Sequence, residues 1–86
     1  MTGARYEDRP LNIQALLGVG TDGDPSQTRI TRGDNFFLYG GSRDTHDRMV
    51  ETVIRFNEQI DRRGKRLPQI NVRDLRDIAR ELMDDQ

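Results

Sequence analysis

Residues 28–42 read Thr28-Arg29-Ile30-Thr31-Arg32-Gly33-Asp34-Asn35-Phe36-Phe37-Leu38-Tyr39-Gly40-Gly41-Ser42, and this stretch decides the fold. Thr28–Thr31 sets β-branched residues at alternate positions, and Asn35–Tyr39 is aromatic and apolar. Two β-favouring runs around a short turn holding a glycine predict a hairpin. Arg32-Gly33-Asp34 is then the turn, with Gly33 expected at positive φ. The same tripeptide is read by some cell-surface receptors, but three letters match often by chance, and the turn reading is the simpler one.

Gly40-Gly41 ends the second strand, and Ser42 is a good helix N-cap. The helix is expected over 43–63, closed by Gly64 as a left-handed C-cap. Met49, Val50, Val53, Ile54, Phe56 and Ile60 form its apolar stripe at the helical period. Asp44, Glu51 and Glu58 each precede an arginine by four residues, which marks the opposite face as solvated. After the basic loop 65–69, Asn71 is expected to cap a second helix, with Asp74 as its capping-box partner and Ile70 with Leu75 as a hydrophobic staple. Leu75, Ile78, Ala79, Leu82 and Met83 form the expected buried face.

Upstream, Leu11–Val19 fits a strand or a helical turn, with the strand slightly favoured. Gly20–Gln27 is a loop. Residues 1–10 are polar and aperiodic and read as a disordered arm. The expected fold is therefore α+β in a single domain over 11–86. It consists of a β-hairpin, or a three-stranded antiparallel sheet if Leu11–Val19 joins, packed against an antiparallel pair of helices.

Composition bounds the rest. The chain has 86 residues, of which 20 are Ile, Leu, Val or Phe, so the core is thin. No apolar run approaches the ~18 residues of a membrane span. No basic-then-apolar leader opens the chain, and the expected compartment is the cytoplasm. Cysteine is absent, which excludes disulfides and thiolate metal sites. Lys and Arg total 14 against 15 Asp and Glu, so bulk charge does not favour nucleic acid. The segment 62–80 nevertheless carries seven bases and two acids.

Several motifs carry residue types with chemical potential. Gly18-Val19-Gly20-Thr21-Asp22-Gly23 matches the dinucleotide fingerprint in letters, but Asp24-Pro25 follows where a helix must begin. Asp22, Asp24 and Asp34 lack calcium-loop spacing. His46 is the single histidine and has no second ligand or nucleophile partner in the pattern. Ser42 and Arg43, at a strand-to-helix junction, are candidates for anion binding. Arg62, Arg63, Lys65 and Arg66 are candidates for phosphate or nucleic-acid contact. Ile30-Thr31-Arg32, the apolar strand, Ser42 and the helix are loosely similar to the hairpin-into-helix centre of Phd-type antitoxins. That family's usual helix-start residues are missing, and no family is assigned.

The expected function is non-enzymatic, with no cofactor and no metal: a protein-interaction module that self-associates as a homodimer. Met49, Val50, Val53 and Ile54 are the candidate interface, joined by the strand edge of Asn35–Tyr39. The alternative is a nucleic-acid- or anion-binding regulator of antitoxin-like type using 62–80.

Overall fold

A computed structural model describes residues 6–84. Residues 1–5 of the expected arm lie outside this range. Three strands, β1 (Leu16–Gly20), β2 (Ile30–Arg32) and β3 (Phe36–Gly40), precede α1 (Arg43–Arg62) and α2 (Val72–Asp84). Short 3-10 turns occupy Tyr6–Asp8 and Leu67–Gln69. The protein is α+β. Its contacts group residues 15–54 into one compact unit and residues 6–14 with 55–84 into another.

In the first unit the hairpin forms as expected, β2 antiparallel to β3, with Ile30 opposite Tyr39 and Arg32 opposite Phe37. The Gly33 amide donates to the Phe36 carbonyl at 3.0 Å and closes the turn. Gly33 does not take positive φ. A Cβ at that position would strike the Phe36 ring, so space, not backbone freedom, asks for glycine there.

The sheet itself departs from the expectation, because it is mixed and not purely antiparallel. β1 pairs parallel to β3, Leu16 with Phe36 through Gly20 with Gly40, giving the order β1-β3-β2. β3 is thus central and has no free edge, so the edge expected at Asn35–Tyr39 does not exist. The cause lies at the carboxyl ends of β1 and β3. Parallel pairing brings Gly20 against Gly41 so closely that a Cβ on Gly20 would lie 2.5 Å from the Gly41 Cα. A Cβ on Gly40, at φ +80, would lie 2.6 Å from the Gly20 carbonyl oxygen. Only glycines let the two strand ends meet in this way.

Strand residues alternate between faces. Leu16, Gly18 and Leu38 share one face with Met49 and Val53 of α1, and all five line one cavity. Leu38 and Val53 are buried, Met49 and Val50 are half-buried, and Ile54 is exposed. His46 is buried at 5% exposure. Its Nδ1 donates to the Gly40 carbonyl at 2.8 Å, and its Nε2 lies 2.8 Å from the Thr31 hydroxyl. A carbonyl only accepts, so Nδ1 carries a proton and Nε2 takes the Thr31 hydrogen in the neutral ring. The histidine ties the hairpin to the first turn of α1.

In the second unit the buried residues are Ile60, Leu67, Ile70 and Ile78. α1 ends as expected: Gly64 takes φ +67, its amide donates to Asp61 and the Lys65 amide donates to Ile60, a Schellman closure. The α2 capping box is reciprocal. The Asp74 amide donates to Asn71 Oδ1 at 2.8 Å and the Asn71 amide to Asp74 Oδ2 at 3.1 Å. The buried face of α2 is narrower than its sequence pattern: Ile78 is buried, Leu82 half-buried, and Leu75, Ala79 and Met83 are exposed. Phe56 is half-buried. Glu7 and Asp8 form ion pairs with Arg76 and Arg73 of α2 at 3.2 and 3.1 Å. The Leu11 amide donates to the Ile70 carbonyl at 2.9 Å, which ties this part of the expected upstream strand to residues 68–70.

Candidate functional site

The start of α1 is the best-defined polar constellation. Ser42 caps the helix, accepting from the Thr45 amide at 3.2 Å. The Asp22 carboxylate accepts from the Ser42 amide (2.8 Å), the Ser42 hydroxyl (3.0 Å) and the Thr45 hydroxyl (2.7 Å). These donors, the Ser42 amide first, hold the Asp22 carboxyl down at about 2 from its ordinary 3.8. The anion that Ser42 was expected to bind is therefore supplied by the chain itself, from the loop after β1. The positive end of α1 and its free amides hold a carboxylate as they would hold a phosphate. The dinucleotide-like glycine run has a structural use here: it lets the loop approach Gly41, where a Cβ on Gly23 would sit 2.5 Å from the Gly41 carbonyl oxygen. Arg43 beside it is exposed.

Asp22 also makes a pH prediction. Its folded pKa lies below the unfolded value, so the stability it contributes is complete above about pH 4 and lost as pH falls from 3.8 toward 2. Urea midpoints of the wild type and Asp22→Asn are expected to differ by a constant amount above pH 5 and to converge between pH 4 and 2. A gap that stays open at the acid end would exclude this carboxylate as its source.

Two of the four basic candidates at the other end of α1, Arg63 and Lys65, are engaged. Lys65 Nζ meets Asp74 Oδ2 at 2.6 Å, and Arg63 Nε lies 3.8 Å from Asp74 Oδ1. Arg63 also donates to the Gln59 carbonyl and side-chain oxygen. Burial pushes Asp74 up, but the Lys65 and Asn71 hydrogen bonds and the charges of Lys65 and Arg63 outweigh it and hold the carboxyl below its ordinary range. Arg62 and Arg66 are exposed. Asp24 is taken up locally, accepting from the Ser26 amide and hydroxyl at 2.9 and 2.8 Å. Among the described residues no group of three or more His, Cys, Asp or Glu is placed to hold a metal. Nor is any described helix long and apolar enough to cross a membrane.

An extended apolar surface lies on the sheet. On the face opposite α1, Leu17 and Val19 of β1, Phe37 and Tyr39 of β3 and Ile30 of β2 stand side by side in register. Their exposures run from 37% at Phe37 to 73% at Leu17. Arg32, opposite Phe37, is the charged neighbour on this face. The sequence holds a signal for it: Phe36-Phe37-Leu38-Tyr39 is apolar at both parities, where a strand with one wet face alternates. Of the helix candidates for an interface, Val53 is buried, Met49 and Val50 half-buried and Ile54 exposed. No protein-family model, curated protein or solved structure matches the chain.

Proposed function

We propose that this chain is a non-enzymatic assembly module that forms a homodimer through its open sheet face. The observation that supports this reading is the apolar patch Leu17, Val19, Ile30, Phe37 and Tyr39. At roughly 100 Å² of exposed surface per side chain the patch presents about 500 Å². That is the upper range of apolar patches left uncovered on monomers. Two copies meeting face to face would bury about 1,000 Å², the threshold for a specific interface. Twisted sheets stack in this way about 10 Å apart with their inner side chains interdigitated. The interface moves from the α1 stripe to the sheet because Val53 is already buried, while five sheet residues are not.

The non-enzymatic reading rests on how the reactive groups are used. The ring nitrogens of His46 have partners in Gly40 and Thr31, and Asp22, Asp24 and Asp74 are each held by hydrogen bonds. The nucleic-acid alternative has less behind it, because Arg63 and Lys65 face Asp74.

Sedimentation equilibrium from about 5 to about 500 μM tests the proposal. The mass is expected to rise from 10.0 kDa toward twice that value. Tyr39→Glu sets a charge at the centre of the patch and is expected to weaken association at least about a hundredfold. A constant monomer mass across the range removes the proposal. Steep weakening of duplex binding by salt would favour the alternative.

A further inference from the structure

The free edge of β1 differs from every other strand margin of this sheet. β3 is central, and β2 is three residues long and ends on Arg32. Short strands and charges are the usual guards against edge pairing. β1 has five residues, Leu-Leu-Gly-Val-Gly, with neither a charge nor a proline.

Its hydrogen-bond phase is fixed. The Leu16 amide donates to the Asn35 carbonyl at 2.8 Å, so Leu16, Gly18 and Gly20 turn their backbone groups toward β3. Backbone direction alternates along a strand, so Leu17 and Val19 each present an N–H and a C=O outward. Beside this edge, on the α1 side, lies a cavity of about 350 Å³ whose apolar lining includes Leu16, Leu38, Met49 and Val53. Gly18 helps keep it open, since a Cβ there would lie 2.8 Å from Leu38 Cδ2 and 3.1 Å from Met49 Sδ. Arg48 also lines the cavity and is exposed. Among the described residues it makes no ion pair, not even with Asp44 one turn before it.

We infer that β1 and α1 form a docking groove for an extended segment of a partner protein that adds as a strand to the β1 edge. The backbone of that segment pairs with Leu17 and Val19. Its alternate apolar side chains enter the cavity, and an acidic side chain on the same parity meets Arg48. Main-chain bonds then supply affinity and the cavity supplies selection, the mode by which sheets accept extended peptides. Charge complementarity at Arg48 decides the chemistry: it is the one charged residue lining the cavity, whose other polar side chains are Thr45 and Thr52, and it favours a segment carrying a carboxylate.

The probe is a fluorescein-labelled peptide, Val-Thr-Val-Thr-Val-Thr-Glu, added to the full chain and to its Tyr39→Glu variant. The second protein keeps the test separate from self-association on the open face. Polarisation is expected to saturate with both proteins, and the Leu17 and Val19 amides to become protected from exchange. N-methylation of alternate peptide amides is expected to weaken binding at least about tenfold, because edge bonds are lost. Arg48→Glu is expected to lose about tenfold for this peptide and to prefer the version ending in Lys. Arg48 is exposed, so the variant keeps its fold, checked by its melting curve. Failure to saturate with both proteins, equal binding of the N-methylated peptide, or no change of preference on Arg48→Glu overturns the inference. So does amide protection at Leu17 and Val19 that grows with protein concentration alone, which assigns the edge to a second copy.

Discussion

Leu38→Ala is expected to leave the protein largely unfolded at 37 °C. Leu38 sits on the central strand at 1% exposure, on the face shared with Met49 and Val53. Removing a fully buried leucine costs about 3–5 kcal/mol through lost transfer energy and the void left behind. A single core in a chain of this size contributes about 3–5 kcal/mol of net stability, so the loss consumes most of it. Leu17→Ala is the matched control. Leu17 lies one strand away, 73% exposed, and truncating it is expected to change the stability of the monomer by no more than about 0.5 kcal/mol. Urea titrations followed by circular dichroism, run at low protein concentration, compare the two. Equal and small losses would mean that the sheet's faces are inverted.

Gly40→Ala is the second large effect. Its φ of +80 costs an alanine about 1–2 kcal/mol by itself. The added Cβ would also lie 2.6 Å from the Gly20 carbonyl oxygen, which belongs to backbone on the neighbouring strand. That oxygen cannot retreat without opening the carboxyl end of the β1–β3 ladder, so the total is expected to exceed about 3 kcal/mol. Gly64→Ala isolates the first contribution. Gly64 takes φ +67 with nothing within 4 Å of the added carbon, and only the left-handed penalty of about 1–2 kcal/mol applies. A Gly40 variant no worse than the Gly64 variant would show that β1 and β3 do not meet as described.

The features legible in the sequence are those whose bonds close within a few residues. Ser42 and Thr45, Asn71 and Asp74, and Gly64 with its two Schellman donors are caps in which each partner lies within one turn of the other. The β2–β3 hairpin is equally local. What was not legible is non-local. Asp22 meets Ser42 across 20 residues, and no spacing rule marks the pair. The parallel position of β1 depends on glycines that matter only once two loops touch. Periodicity showed which faces of α1 and α2 are apolar but not what covers them. Val53 and Ile78 are buried, while Ile54, Ala79 and Met83, drawn from the same patterns, are exposed. At Gly33 a turn predicts positive φ, yet the Phe36 ring, a contact the turn pattern does not encode, sets the requirement.

The strand order β1-β3-β2 also carries an expected order of assembly. β2, β3 and the first turns of α1 are neighbours in the chain, and their contacts close short loops. β1 is expected to join later, because its parallel pairing with β3 closes a loop that contains residues 21–29 and β2. Closing the longer loop costs more chain entropy before any contact repays it. During that interval the Phe37 and Tyr39 backbone of β3 stands open to any passing strand. The time β1 takes to arrive is therefore expected to set how long each newly made chain is exposed to aggregation.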